Sequence, residues 1–142
     1  MRLWDQATFL LKIYGLILTK LVRTLYTLPS QVRLSAIQVE NKINGVPDSL
    51  TEELIKSIIA HKPVKKIVVY GSRATDNYRK TSDIDIAIVD ESWDSGDISL
   101  VHFNLEEELS TPLTIDLVSF YNVYKESMQD AINKGLVLYE SK

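Results

Sequence analysis

Two carboxylates two residues apart, Asp83 and Asp85, are the feature of this sequence with the clearest chemical potential. In a strand, side chains at that spacing project to one face, while Ile84, Ile86 and Ile88 take the other. Paired carboxylates repel, and one is pushed toward protonation unless a cation lies between them. Oxygen-only ligands on a rigid strand suit a hard cation such as Mg²⁺, which keeps waters and accepts substrate phosphates. The plainer alternative is one turn residue followed by one solvated side chain.

Gly71-Ser72 directly follows the apolar run Ile67-Val68-Val69-Tyr70. A glycine at a strand end lets backbone approach a ligand closely. Successive N–H groups leading into a helix start can hold phosphate oxygens. Ser72 adds a hydroxyl. An ordinary strand-to-helix turn with Ser72 as the cap would use the same residues. Asp116 lies within Thr114-Ile115-Asp116-Leu117-Val118, where an acid is costly to bury unless paired or metal-bound; an edge strand with Asp116 facing water is the alternative. If its strand lies beside the Asp83 strand with faces matched, three carboxylates converge. His61 and His102 sit in no metal-ligand spacing, and no role is read for them.

Positioning these groups requires alternating helices and strands. Helices are expected over about 49–60, opened by a Ser49/Glu52 capping box, over 98–109, and over 122–133, closing at Lys134-Gly135. Strands are expected over 65–70, 83–89, 113–120 and 136–139, with a turn and short helix from Gly71. The fold class is α/β (α+β), a mixed sheet flanked by helices. Asn44-Gly45-Val46-Pro47 marks a seam between an N-terminal helical extension, 1–47, and a domain over 48–142. In the extension, Trp4, Ala7, Leu11, Tyr14, Leu18, Leu21, Leu25 and Leu28 form a heptad stripe. Its wide apolar face either packs on its own domain or forms a homodimer or partner interface through residues 1–28.

The chain has 142 residues and a net charge of −3. Residues 1–47 carry six Lys/Arg against two Asp/Glu, and residues 48–142 carry ten against seventeen. Part of that acidity fits a cation site, the rest a solvated surface. Cysteine is absent, which excludes disulfides, thiolate nucleophiles and Cys-based zinc sites. Lys12, Lys20 and Arg23 break the one long apolar run, so no membrane span or signal peptide is read and the expected location is the cytoplasm. The basic residues are dispersed rather than clustered, which argues against nucleic-acid binding.

Jointly these elements give G-S-x10-D-x-D with a later strand acid. The sequence resembles the DNA polymerase β-like nucleotidyltransferases, and more closely the minimal nucleotidyltransferases (MNT), which pair with HEPN-domain partners in prokaryotic toxin–antitoxin modules. Gly71-Ser72-Arg73-Ala74, Asn77-Tyr78-Arg79-Lys80, Ser82 to Ile88, Ile115 to Val118 and Gly135 to Glu140 carry the resemblance, over about residues 48–140. It implies a polymerase β-like fold and transfer of AMP from ATP. Asp83, Asp85 and Asp116 would be catalytic and hold two Mg²⁺ ions about 4 Å apart. Gly71 and Ser72 would hold the β- and γ-phosphates. Arg73 would add a phosphate contact or form a structural ion pair; Arg79 and Lys80 are read as solvated surface, with a nucleotide or partner contact as the alternative.

One departure stands out. The family often has Arg/Lys-Gly where this chain has Thr75-Asp76, which removes a cation and a residue tolerant of left-handed backbone. The chain has room for only one helix after the catalytic strands, so a second protein completing the acceptor site is attractive. The implied function is an antitoxin that adenylylates a hydroxyl, a tyrosine, of a HEPN ribonuclease toxin. The alternatives are a binding-only antitoxin with a vestigial site and a stand-alone small-molecule nucleotidyltransferase.

Overall fold

The computed structural model describes residues 38–142, and these form a compact unit beginning at Gln38. The heptad stripe and the dimer surface expected in residues 1–28 lie outside the described residues. The expected seam at 44–47 falls inside this unit. Ile43 and Val46 are buried in it, and Glu40 N–H donates to the Leu138 carbonyl.

Helix α1 spans Asp48–His61. Leu54, Ile55 and Ile58 repeat at helical spacing and are fully buried. The Ser49/Glu52 capping box does not form, because Pro47 occupies the N-cap with φ −57°. Its carbonyl receives the Leu50 and Thr51 N–H groups instead. Strand β1 (Lys66–Tyr70) leads through a 3₁₀ turn, Gly71–Ala74, to β2 (Ile84–Val89). Helix α2 covers Ser95–Glu108, starting three residues before the expected Ile98. A capping box does form here: Asp97 N–H donates to Asp94 Oδ1 at 2.9 Å and Asp94 N–H to Asp97 Oδ2 at 3.1 Å.

Strand β3 is Ile115–Ser119, α3 is Glu126–Asn133 and β4 is Leu136–Glu140. The helix expected from Asn122 starts at Glu126. Phe120–Asn122 form a 3₁₀ turn, and Val123 and Lys125 are extended. Gly135 follows α3 for a reason other than backbone handedness: a Cβ there would stand 2.5 Å from the Val69 carbonyl oxygen, so α3 and β4 can approach β1 only with glycine.

The four strands lie in the order β3-β2-β1-β4. β1 is antiparallel to β2 and β4, and β2 is parallel to β3 through the α2 crossover. Ile67, Val69, Ile84, Ile86 and Ile88, all wholly buried, share one face by register. Each buried isoleucine contributes about 1.5–3 kcal/mol. α1 packs on α2, and α2 on β3. The opposite face carries Val68, Tyr70 and Ala87, which form a second cluster with Val123 of the connecting loop and Ile132 of α3. Asp85 and Asp116 stand on that second face.

Candidate active site

β2 pairs with β3 so that Asp85 stands opposite Asp116, and β1 with β2 so that Tyr70 stands opposite Asp85. Neighbouring strands are about 4.8 Å apart, so the two carboxylates are immediate neighbours on one face. Asp83 is on the residue pair leading into β2, one step outside the strand, and is exposed like Asp116, whereas Asp85 is partly buried. The parallel pairing of β2 with β3 brings together acids 31 positions apart in the sequence.

The electrostatics follow from this crowding. Burial, then the charge of Asp116, then that of Asp83 raise the Asp85 carboxyl above the usual carboxylate range. Burial, Asp85 and Asp116 push the Tyr70 phenol up to about 12, so it stays neutral. The ion pairs of the described residues involve none of the three aspartates.

A bound divalent cation would relieve that repulsion, and the donors are oxygens only, so the set fits Mg²⁺. Among the described residues no group of three His, Asp or Glu side chains is arranged to hold a metal ion by itself. Mg²⁺ does not need one, since it is commonly held by one or two carboxylates with waters and substrate phosphates.

Gly71 has φ +73°, a conformation costly for residues with a Cβ. A Cβ there would also meet Asp85 Oδ2 at 2.8 Å. The turn thus lies directly against the central carboxylate, with Ser72 next in line. Thr75 secures the turn: its N–H and hydroxyl donate to the Ser72 carbonyl at 3.2 and 3.1 Å. Thr75 itself is extended, with φ −129°, and no non-glycine among the described residues has positive φ. The Thr75-Asp76 departure therefore introduces no left-handed strain.

Arg73 departs from the expected phosphate contact. It is 1 % exposed. Its guanidinium donates to the carbonyls of Ser82 at 2.8 Å, Asn44 at 2.9 Å, and Arg79 and Lys80 at 3.3 Å each. Tyr78 covers it at 5.3 Å. With its donors turned inward onto carbonyls, the Arg73 guanidinium points away from the phosphate role expected of it, and it forms no ion pair among the described residues. The flanking Arg79 and Lys80 side chains are exposed, as expected.

A family model for the polymerase beta nucleotidyltransferase domain matches residues 52–142. The chain belongs to that nucleotidyltransferase family. Among curated proteins none matches the sequence. The fold is shared with solved toxin–antitoxin structures. A mutant MntA–HpeT complex superposes with TM-score 0.53 at 21% identity, over 65% of this chain and 74% of the other. A toxin–antitoxin structure with AMP-PNP gives 0.54 at 22%, over 65% and 74%. A tri-AMPylated Shewanella oneidensis HEPN toxin in complex with its MNT antitoxin gives 0.50 at 21%, over 66% and 71%.

Against this nucleotidyltransferase frame, three contributors escaped sequence reading. Tyr70 looked like the last apolar residue of a strand. Asn44-Gly45 looked like a helix stop, yet Asn44 N–H donates to the Arg73 carbonyl and its side-chain amide to the Thr75 carbonyl. His102 received no role, but its Nε2 lies 2.8 Å from the Ile115 carbonyl, tying α2 to β3 just before Asp116. The available signal was Asn44-Gly45 preceding a proline, which marks a tight turn as readily as a helix end. Among the described residues no helix is long and apolar enough to cross a membrane.

Proposed function

We propose that this nucleotidyltransferase is a Mg²⁺-dependent protein adenylyltransferase acting as an antitoxin, moving AMP from ATP to a tyrosine hydroxyl of a HEPN ribonuclease partner. The observation that carries this reading is the Gly71-Ser72 turn seated against Asp85, with Asp116 in register beside it. The shared fold with MNT antitoxins, one beside an AMPylated HEPN toxin, supports the choice of acceptor.

In this reading Asp83, Asp85 and Asp116 hold the metal, and Gly71 and Ser72 bind the β- and γ-phosphates. When bound, two Mg²⁺ ions supply charge neutralisation at the attacking and leaving oxygens. The residues' own work is positional. The turn aligns the triphosphate so that the α-phosphorus faces the acceptor. The tyrosine oxygen bonds to that phosphorus, the bond to the β-phosphate oxygen breaks, and pyrophosphate leaves. In this reading the hydroxyl proton passes to the exposed Asp116 carboxylate or through it to solvent.

Co-expression with a candidate HEPN partner followed by intact-mass measurement tests the reading. The partner should gain AMP with the wild type and none with Asp83→Ala/Asp85→Ala. An unmodified partner that nevertheless binds and is silenced would replace the enzymatic reading with a binding-only antitoxin. The strain-free backbone at Thr75-Asp76 removes one reason to regard the site as vestigial.

A further inference from the structure

The segment Ile43–Val46 precedes the part of the chain matched by the family model, yet it packs against the residues that follow the Gly71-Ser72 turn. Its junction with the site is Arg73. This side chain joins three pieces that the sequence keeps apart. It follows Ser72 in the phosphate turn. It holds the carbonyl of Ser82, the residue immediately before Asp83, at 2.8 Å, and the carbonyls of Arg79 and Lys80 in the same loop. It also holds the Asn44 carbonyl at 2.9 Å, while Asn44 N–H returns a bond to the Arg73 carbonyl at 3.2 Å.

We infer that Arg73 is a positioning residue that sets Asp83 and the Gly71-Ser72 turn at their mutual spacing, with the Asn44-Gly45 strap holding its guanidinium in place. This rests on the functional reading above, since it assigns Asp83 to a metal. Asp83 lies outside β2 and has no ladder partner to fix it. The loop that delivers it is fastened at Ser82, Arg79 and Lys80 by one cation. Guanidinium suits this task because its donors are planar and fixed in direction, so it can serve several carbonyls at once. Gly45 is required for the strap: it has φ +72°, and a Cβ there would stand 2.3 Å from the Tyr78 ring and 3.0 Å from Arg73 Nη1.

The test uses full-length protein and Mn²⁺ as the probe, with binding followed by electron paramagnetic resonance, so no acceptor is needed. Arg73→Lys keeps the charge and loses the fork. Gly45→Ala leaves Arg73 intact and displaces it from outside. Ile58→Ala is the control, a core truncation far from the carboxylates, compared at matched distance below its melting temperature. Arg73→Lys and Gly45→Ala should weaken Mn²⁺ binding by about 10- to 100-fold, with the control close to wild type. Should Arg73→Lys not fold, Gly45→Ala decides alone. Variants that bind Mn²⁺ as the control does would overturn the proposal and leave the functional reading intact. Wild type that takes up no Mn²⁺ would overturn both.

Discussion

Gly71 and Asp85 are in such close approach that a Cβ on residue 71 would stand 2.8 Å from Asp85 Oδ2. The turn and the carboxylate were built to share one space, and that space leaves no room for a side chain. Gly71→Ala should therefore cost about 1–2 kcal/mol in stability from the left-handed backbone alone. Its loss of nucleotidyl transfer should be far larger, because the displaced Asp85 is central to the site. Chemical denaturation beside transfer assays separates the two; a loss of activity no larger than the unfolded fraction would contradict the contact's role.

Asp85 also sets a pH dependence and, in the proposed reading, a metal dependence. Its folded pKa is raised, by burial first and then by Asp116 and Asp83. For an acid, a raised folded pKa means the native state holds its proton more tightly than the unfolded state. Stability from this group is thus full below the unfolded value, about 3.9, and is lost as pH rises through the folded value. At neutral pH the charged Asp85 is a liability that a bound cation would relieve. Asp85→Asn should melt a few degrees higher than wild type without divalent ions, and Mg²⁺ should raise the wild-type melting temperature alone. Calorimetry with and without Mg²⁺ checks both. Equal responses of the two proteins would count against metal binding at Asp85.

Asp97 behaves in the opposite sense. Hydrogen bonds from Lys62 and His61, then from the Asp94 amide, hold its carboxyl well below the usual range. Lys62 Nζ and His61 Nε2 both lie at 2.9 Å. A depressed folded pKa gives stability that is present above the unfolded value and lost as pH falls through the folded one. The difference in melting temperature between wild type and Asp97→Asn should shrink steadily below about pH 4. Asp94→Ala, which removes the cap of α2, should cost about 1 kcal/mol at neutral pH. Urea titrations across pH would show either effect to be missing.

Ser119 is 3 % exposed, and its hydroxyl has no hydrogen-bond partner among the described residues. Such an orphan group is paid for elsewhere in the fold, so Ser119→Ala should be neutral or stabilising. A clear loss of stability in denaturant titration would mean that the hydroxyl has a partner, such as an internal water.

Much of this architecture is written in local patterns. Ile84, Ile86 and Ile88 alternate with Asp85, so a strand with a core face and a carboxylate face can be read directly, and the β1 run before Gly71 is equally plain. The convergence of Asp85 with Asp116 could only be stated as a condition, because register between strands depends on the α2 crossover. Cap placement misled where two patterns competed: Ser49/Glu52 matches a capping box, but Pro47 takes the N-cap first. Arg73 misled because a cation beside a Gly-Ser turn invites the expectation of a phosphate contact. Nothing local reveals that the carbonyls of Ser82, Asn44, Arg79 and Lys80 surround it. The same non-locality hid the strap, since Asn44-Gly45 acquires its meaning only from Tyr78 and Arg73 packed against it.

The most direct measurement of the central claim is label transfer from ATP to a purified HEPN partner in Mg²⁺, with label at the α- or the γ-phosphate. The reading predicts label on the partner from α-labelled ATP and none from γ-labelled ATP. It also predicts loss of transfer by orders of magnitude in Asp85→Asn. No α-label on a partner that binds the wild-type protein, or equal transfer by Asp85→Asn, would contradict it.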